Sequence, residues 1–158
     1  MAKQALIMYY SQFDITAKLA SKIHDVTGAD IVRINVAADL FPDDMDQTNR
    51  VYQDQLKQHQ FPKLVTDIPD LNYYDLLLIG GPVWDGNVST PVIILLQEIQ
   101  DYQGEIAPFS TGWSDTGDYQ VHFEKWAGQL MVKPGYHVLT HATPQFELKT
   151  LESWLRKL

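Results

Sequence analysis

The chain has 158 residues, 45% of them hydrophobic, which predicts a single domain over residues 1–158 with a substantial buried core. The absence of cysteine excludes disulfides, thiolate catalysis and cysteine-based zinc sites. The formal net charge of -8 argues against nucleic acid as a partner, because such binding relies on clustered Lys and Arg. The apolar run near the start is too short for a signal peptide or a membrane span, so we expect a cytoplasmic protein without a membrane partner.

The first predicted strand is the apolar run from Ala5 to Tyr10, which small and polar residues bring to an end. The first N–H groups of a helix have no internal partner and carry the positive end of its dipole. We therefore predict a phosphate-binding loop between this strand and the next element, with the hydroxyls of Ser11 and Thr16 at its rim. That element is a helix, because apolar residues recur at spacings of three and four, at Ile15, Leu19, Ile23 and Val26.

The middle of the chain contains a second strand, a polar helix and the clearest strand of the sequence. The second strand is predicted over residues 30–35, after a helix end at Gly28. A solvated helix is expected over roughly Asp44–Gln58, where the apolar stripe is poor. The continuous apolar run over residues 73–81 predicts a strand buried on both faces, as in the middle of a parallel sheet.

The next segment is predicted to form a loop, a helix and a fourth strand. Pro91 is expected to open the helix, with Thr90 as its cap. The fourth strand covers residues 104–110, although Pro108 removes a ladder donor from it.

The last elements are a helix over residues 119–129, a fifth strand over residues 136–139 and a helix that starts at Thr143-Pro144. The side chains of this final helix that we expect to face inward are Leu148, Leu151, Trp154, Leu155 and Leu158.

The alternation of strands and helices predicts an α/β fold with a doubly wound parallel sheet and helices on both faces. In the five-stranded order 2-1-3-4-5, the ligand crevice lies at the switch point between the first and third strands. The loops that follow strands one, three and four would then meet at that crevice.

Three segments resemble the loops of a known family. Residues 10–17, Tyr-Ser-Gln-Phe-Asp-Ile-Thr-Ala, resemble the first loop of the flavodoxins, which usually reads Ser-x-Thr-Gly-Asn-Thr. Residues 80–86, followed by Pro91, resemble the Gly-x-Pro-[Ile/Val]-Trp-x-Gly loop of short-chain FMN-binding flavodoxin-like flavoproteins, and residues 108–114 resemble the third loop of that family. The resemblance implies the flavodoxin-like doubly wound three-layer sandwich, with a five-stranded parallel sheet of order 2-1-3-4-5.

The same resemblance implies FMN as the cofactor. In the family the first loop wraps the FMN phosphate, and the second and third loops hold the isoalloxazine ring, with Trp84 and backbone groups around it. Trp84 and Trp113 offer flat apolar surfaces, although a core or surface role is the alternative for each. Trp126 and Trp154 are expected in the core. The implied cofactor-binding residues are Ser11, Gln12, Phe13, Asp14, Ile15, Thr16, Ala17, Pro82, Val83, Trp84, Asp85, Gly86, Asn87, Thr111, Gly112, Trp113, Ser114, Asp115, Thr116 and Gly117.

Asp14 stands where the flavodoxin loop usually has Gly, and its charge would repel a phosphate. Three hypotheses fit. Asp14 turns outward and FMN binds; Asp14 caps its own helix and occupies the anion seat; or the ligand lacks a phosphate.

Other chemistries are disfavoured by spacing. Residues 112–117 have one residue too many for the Gly-x-Ser-x-Gly nucleophile elbow, and there is no Walker loop and no Gly-x-Gly-x-x-Gly. A response-regulator receiver needs an Asp at the end of strand three, where this chain has Ile79-Gly80-Gly81. The five His show no metal-ligand spacing on one helix face, so we expect no metal site.

The leading hypothesis is therefore an FMN-binding flavoprotein that acts in electron transfer or flavin-dependent reduction, with a redox partner protein or a small-molecule acceptor. No catalytic acid or base is assigned, because the chemistry would belong to the flavin. The alternative is a flavin-free flavodoxin-like binding or regulatory module that has lost the cofactor.

Overall fold

The computed structural model of the protein describes residues 4–113, 116–140 and 147–158. The helices are α1 (Ile15–Thr27), α2 (Met45–Gln58), α3 (Thr90–Glu98), α4 (Tyr119–Ala127) and α5 (Leu148–Arg156), with a short 3-10 turn at Leu71–Tyr73. The strands are β1 (Ala5–Tyr9), β2 (Asp30–Arg33), β3 (Leu76–Trp84), β4 (Asn87–Val88), β5 (Glu105–Gly112), β6 (Met131–Val132) and β7 (Tyr136–Leu139). None of the helices in these ranges has the length and the apolar character needed to cross a membrane.

The sheet follows the predicted doubly wound order. Its strands run β2-β1-β3-β5, all paired in parallel, and β6 and β7 both pair with β5. Because β6 and β7 occupy the two halves of the same edge, they correspond to a fifth strand that is split in two. The predicted order 2-1-3-4-5 is therefore confirmed, and β4 adds an antiparallel hairpin partner to the end of β3.

Two hydrophobic cores cover the two faces of the sheet. Leu6 and Met8 of β1 pack in a core with residues of α3 and α4, whereas Ile7 of β1 packs in a core with residues of α1 and α5. Successive side chains of a strand face opposite sides, so an unbroken apolar strand is buried on both faces. This explains why β1 and β3 are continuous apolar runs.

Pro108 lies in β5, opposite the break between β6 and β7. The N–H of Glu105 donates to Asp75 on the β3 side, and the carbonyl oxygen of Ile106 accepts from Lys133 on the opposite side. Alternate residues of a parallel strand bond to opposite neighbours, so the missing N–H of Pro108 is on the side of β6 and β7. Gly135 lies in the break between β6 and β7, and a side chain there would collide with the carbonyl oxygen of Pro108.

Several local predictions need correction. The strand predicted over residues 73–81 begins later, at Leu76, because the 3-10 turn precedes it, and it continues to Trp84. The residue at the cap position of α3 is Ser89, so the prediction that Thr90 caps this helix is wrong. Thr90 instead donates its hydroxyl to Gln55.

The final helix keeps most of its predicted inward face. Leu151 and Trp154 are buried, and Leu155 and Leu158 are partly buried against the same core. Leu148, the first residue of α5, is exposed, so the prediction that it faces inward is wrong. The predicted helix start at residues 143–144 lies outside the described residues.

His137 joins β5, β7 and α4 through two short hydrogen bonds. Its Nδ1 lies 2.7 Å from the hydroxyl oxygen of Ser110, and its Nε2 lies 2.7 Å from the Oε1 of Gln120. Gln120 also accepts from the N–H of Gly135 and donates to the carbonyl oxygen of Lys133, which holds the break between β6 and β7. Because Oε1 can only accept, Nε2 carries the proton, and in the neutral imidazole Nδ1 accepts from the hydroxyl of Ser110. The network therefore satisfies both ring nitrogens of a neutral imidazole.

We predict that His137 makes the protein less stable in mild acid. Burial lowers the pKa of His137 from its ordinary 6.5 to about 4. Between these pH values the unfolded chain binds a proton that the folded chain does not. The free energy of unfolding should therefore fall as the pH is lowered from 6.5 towards 4, by up to about 3 kcal/mol, as measured by urea unfolding.

Two variants separate His137 from the other titrating groups. His137→Gln should lose most of this pH dependence relative to the wild type. His59→Asn should keep it, because His59 is exposed and its left-handed backbone suits Asn. The same slope in the wild type and in His137→Gln would contradict the assignment.

Candidate functional site

An open cleft lies at the carboxyl ends of β1, β3 and β5. It is lined by residues from all three predicted loops, together with two residues that sequence analysis did not select, Met45 and Thr140. The lining residues from the predicted loops are Ser11, Gln12, Phe13, Ile15, Thr16, Pro82, Val83, Trp84, Thr111 and Trp113. The fold therefore brings together three segments that are far apart in the sequence.

The first loop presents a row of backbone donors. Within the described chain, the N–H groups of residues 12–16 donate no hydrogen bond, whereas that of Ala17 donates to the hydroxyl oxygen of Ser11 and that of Lys18 to the carbonyl oxygen of Asp14. These donors lie at the amino end of α1, where the helix dipole is positive. Such a row of donors is the backbone arrangement that binds an anion.

Asp14 has a left-handed backbone, with φ of 65°, and its side chain makes no capping hydrogen bond to α1. Its Oδ1 instead accepts from the Nη2 of Arg33 at 3.0 Å. The same Nη2 donates to the carbonyl oxygen of Ser11 at 2.9 Å. The hypothesis that Asp14 caps its own helix through its side chain is therefore wrong, and Ser11 supplies the capping oxygen.

Gln12 connects the first loop to the start of α2. Its Nε2 donates to the carbonyl oxygen of Pro42 and to the hydroxyl oxygen of Thr48, both at 2.9 Å. Asp44 caps α2 by accepting from the N–H groups of the first turn. These contacts fix the beginning of α2 beside the loop, and Met45, the first residue of the helix, reaches the cleft.

The second loop is a tight hairpin rather than an open loop. Asp85 and Gly86 connect β3 to β4, and both have positive φ, of 51° and 70°. Two successive residues with positive φ are characteristic of the type I′ turn, for which Asp-Gly is a preferred sequence. The turn places Trp84 and Asn87 opposite each other.

Trp84 lies at the boundary between the cleft and the core. It is 3% exposed, and it makes edge-on contacts with the rings of Tyr10, Phe41 and Tyr52 at centroid distances of 5.9, 4.8 and 5.4 Å. It also lines the cleft. The two roles considered for this residue, core aromatic and cleft wall, are therefore both present in the geometry.

The third loop is tied to the other two. The hydroxyl oxygens of Thr111 and Thr16 are 2.8 Å apart and buried, which links β5 to the start of α1. Gly117 approaches the hairpin turn so closely that an added Cβ would be 3.1 Å from the Cα of Gly86. Trp113 is 70% exposed at the rim of the cleft.

Other predicted cofactor-binding residues support the loops without lining the cleft. The Oδ1 of Asn87 accepts from its neighbour Val88 and from the indole of Trp126, and Asp85 accepts from Gln53. Ser114 and Asp115 lie outside the described residues. The predicted residues that the structure describes but that do not line the cleft are Asp14, Ala17, Asp85, Gly86, Asn87, Gly112, Thr116 and Gly117.

The cleft thus combines a donor-rich end with an apolar end. The first loop carries the N–H groups of residues 12–16, which find no acceptor among the described residues, and the side chains of Val83, Trp84 and Trp113 form flat or branched apolar walls. Among the described residues, no group of three His, Asp or Glu side chains could hold a metal ion. The arrangement suits a ligand that carries a phosphate on one side and an aromatic ring on the other.

A family model described as flavodoxin matches residues 4–158. The crystal structure of a flavoprotein from Lactobacillus acidophilus NCFM in complex with FMN is 36% identical, with a TM-score of 0.82, and the match covers 86% of this chain and 93% of that chain. The apo-form of the flavoprotein from the same organism, determined by NMR, is 35% identical, with a TM-score of 0.70 and coverage of 87% and 93%.

A more distant similarity concerns the fold alone. The two-electron reduced flavodoxin of Megasphaera elsdenii is 16% identical, with a TM-score of 0.61 and coverage of 98% of this chain and 99% of that chain. Among curated proteins, none matches this chain.

We predict that Ser11, and not Asp14, stabilises the start of α1 through its side chain. Ser11→Ala removes the acceptor of the Ala17 N–H and should lower the free energy of unfolding by about 1 kcal/mol in urea. Asp14→Asn is the matched control, because Asn also tolerates a left-handed backbone and only an exposed ion pair is lost; its effect should stay within about 0.5 kcal/mol. A larger loss for Asp14→Asn than for Ser11→Ala would contradict this assignment.

Proposed function

This chain belongs to the flavodoxin family, and on that premise we propose that it binds FMN and acts in electron transfer or flavin-dependent reduction. The observation that carries the proposal is the row of backbone N–H groups at residues 12–16, which find no acceptor among the described residues and belong to a loop that lines a cleft with aromatic walls. A phosphate is the natural ligand of such donors at a helix amino end.

The residues of the cleft fit the two ends of FMN. The first loop would hold the phosphate with its backbone donors, assisted by the dipole of α1. The second and third loops would hold the ring system, with Val83, Trp84 and Trp113 as apolar surfaces. The FMN-bound relative from Lactobacillus acidophilus supports this assignment at 36% identity.

The protein would contribute binding, orientation and exclusion of water, whereas FMN supplies the electron chemistry when bound. The buried rings of Tyr10 and Tyr52 stay protonated near the cleft, because burial raises the pKa of Tyr10 to about 12 and raises that of Tyr52 as well. We assign no acid or base to the protein, because the flavin would supply the chemistry, and a redox partner protein or a small-molecule acceptor would exchange electrons with the flavin.

The rival function is a flavin-free binding or regulatory module with the same fold. The two functions differ in one simple property, which is whether the purified protein carries or takes up a flavin. An acidic residue in the phosphate loop is the feature that favours the rival, and Arg33 neutralises that charge at 3.0 Å.

We predict that the purified protein is yellow, or becomes so with FMN, and binds one FMN per chain. FMN should bind more tightly than riboflavin, because only FMN carries the phosphate that the first loop would hold. Quenching of flavin fluorescence measures both affinities. A colourless protein that neither quenches FMN fluorescence nor gives heat on FMN titration would favour the flavin-free module.

We also predict that Trp113 contacts the ring and not the phosphate. Trp113→Ala should weaken the binding of FMN and of riboflavin by the same factor, equivalent to about 1 kcal/mol, because both ligands carry the ring system. The thermal midpoint should change little, because Trp113 is 70% exposed.

Tyr73→Ala serves as the control for Trp113→Ala. Tyr73 is 76% exposed, and it precedes β3 at the end of the strand opposite the cleft. It should leave both affinities unchanged. If Trp113→Ala weakened only FMN, or neither flavin, Trp113 would lie away from the ring.

A further inference from the structure

Arg33 holds the first loop at two points. Its Nη2 donates to the carbonyl oxygen of Ser11 at 2.9 Å and to the Oδ1 of Asp14 at 3.0 Å. Its guanidinium carbon also lies 5.8 Å from the centroid of the Tyr9 ring, within cation–π distance. Arg33 can reach all three residues because it is the last residue of β2 and pairs in register with Tyr9.

Asp14 is the one acidic side chain of residues 11–17, the segment that would receive the phosphate. A carboxylate there has two possible places. It can lie outside the loop against Arg33, or it can turn to the N–H groups at the start of α1, where a side-chain acceptor is normally favoured. In the second place it would compete with the phosphate for the same donors.

The structure shows the first place. The Asp14 side chain is 70% exposed and lies outside the set of residues that line the cleft. Its backbone has φ of 65° and ψ of 4°, whereas a residue that caps a helix with its side chain usually has extended backbone. The bond from Arg33 to the Ser11 carbonyl holds the loop in this conformation.

We propose that Arg33 is a positioning residue for the phosphate seat, and that it sets the preference of this protein for FMN over riboflavin by keeping the Asp14 carboxylate out of that seat. This inference rests on the proposed flavin binding. Arg33 itself stays outside the cleft, so it acts through Asp14.

The test is a double-mutant cycle at Arg33 and Asp14. The readout is the ratio of the riboflavin dissociation constant to the FMN dissociation constant, measured by fluorescence quenching. Arg33→Gln should lower the ratio about tenfold, chiefly by weakening FMN, because the freed carboxylate turns towards the donors of the loop. Asp14→Asn alone should not lower the ratio, since Asn carries no charge.

The double variant decides between an indirect and a direct role. Arg33→Gln with Asp14→Asn should restore the ratio to within about twofold of Asp14→Asn alone, because no carboxylate remains to enter the seat. If the ratio stays low in the double variant, Arg33 acts otherwise than through Asp14, either by its bond to the Ser11 carbonyl or by contact with the phosphate, and the proposal is overturned. If Arg33→Gln leaves the ratio unchanged, the ion pair has no role in binding and the proposal is likewise overturned.

Matched controls remove the same charges far from the loop. Arg156→Gln on α5 and Asp25→Asn near the end of α1 should leave the ratio unchanged. Asp25 is 11 residues beyond Asp14, which corresponds to about 16 Å along a helix and exceeds the screening length of about 8 Å at physiological ionic strength. A similar fall in the ratio with these variants would indicate a general charge effect and would overturn the positioning role.

Two further outcomes separate this inference from the proposed function. If the wild-type protein binds neither flavin, the proposed function is wrong, and the inference is wrong as well. Wild-type protein that binds riboflavin as tightly as FMN still binds flavin but has no phosphate seat, so only the inference is lost. If Arg33→Gln fails to fold, Arg33→Lys is used instead, because it keeps the positive charge. Its ratio of dissociation constants should lie between that of the wild type and the tenfold lower value expected for Arg33→Gln, and adding Asp14→Asn should raise that ratio.

Discussion

Burial of β1 on every side decides where the candidate site can form. Its side chains alternate between two cores, and its edges are hydrogen-bonded to β2 and β3. A shift of one residue would move every side chain to the opposite core, so the register is fixed. The chain must then leave the sheet at Ser11, and the amino end of α1 follows beside the carboxyl ends of β3 and β5. The donor-rich loop is a consequence of this fixed register.

Periodicity predicted the elements whose burial is continuous, and it failed where an element is short or interrupted. The fifth strand was predicted as β7 alone, because β6 has two residues and the turn around Gly135 breaks the pattern. The three loops of the cleft were predictable because each follows a recognisable strand. Met45 was not, since it reaches the cleft through hydrogen bonds from Gln12 to residues 30 and 36 positions away. No local pattern encodes a contact at that separation.

Asp14 shows how one position can satisfy two separate constraints. The backbone there is left-handed, which explains why the resembling loop usually has Gly, and Asp tolerates this conformation better than most residues. The second constraint is the negative charge of Asp14, which is paired with Arg33, 19 positions later in the sequence. The pairing follows from topology, because β2 lies beside β1 and its last residue is level with Tyr9. The negative charge of Asp14 is evident from the sequence, whereas its compensation by Arg33 follows only from the strand register.

The cleft wall is also the edge of the larger core. Trp84 packs on Tyr10, Phe41 and Tyr52 with one part of its surface and lines the cleft with another. A ligand bound there stabilises the folded state by mass action, and it does so through a side chain that already belongs to the core. If the proposed ligand contacts Trp84, binding and folding are coupled there, because truncation of Trp84 would create a core cavity as well as remove that contact. Trp113 is exposed and lacks this coupling, so its truncation would test the proposed ring contact without creating a core cavity.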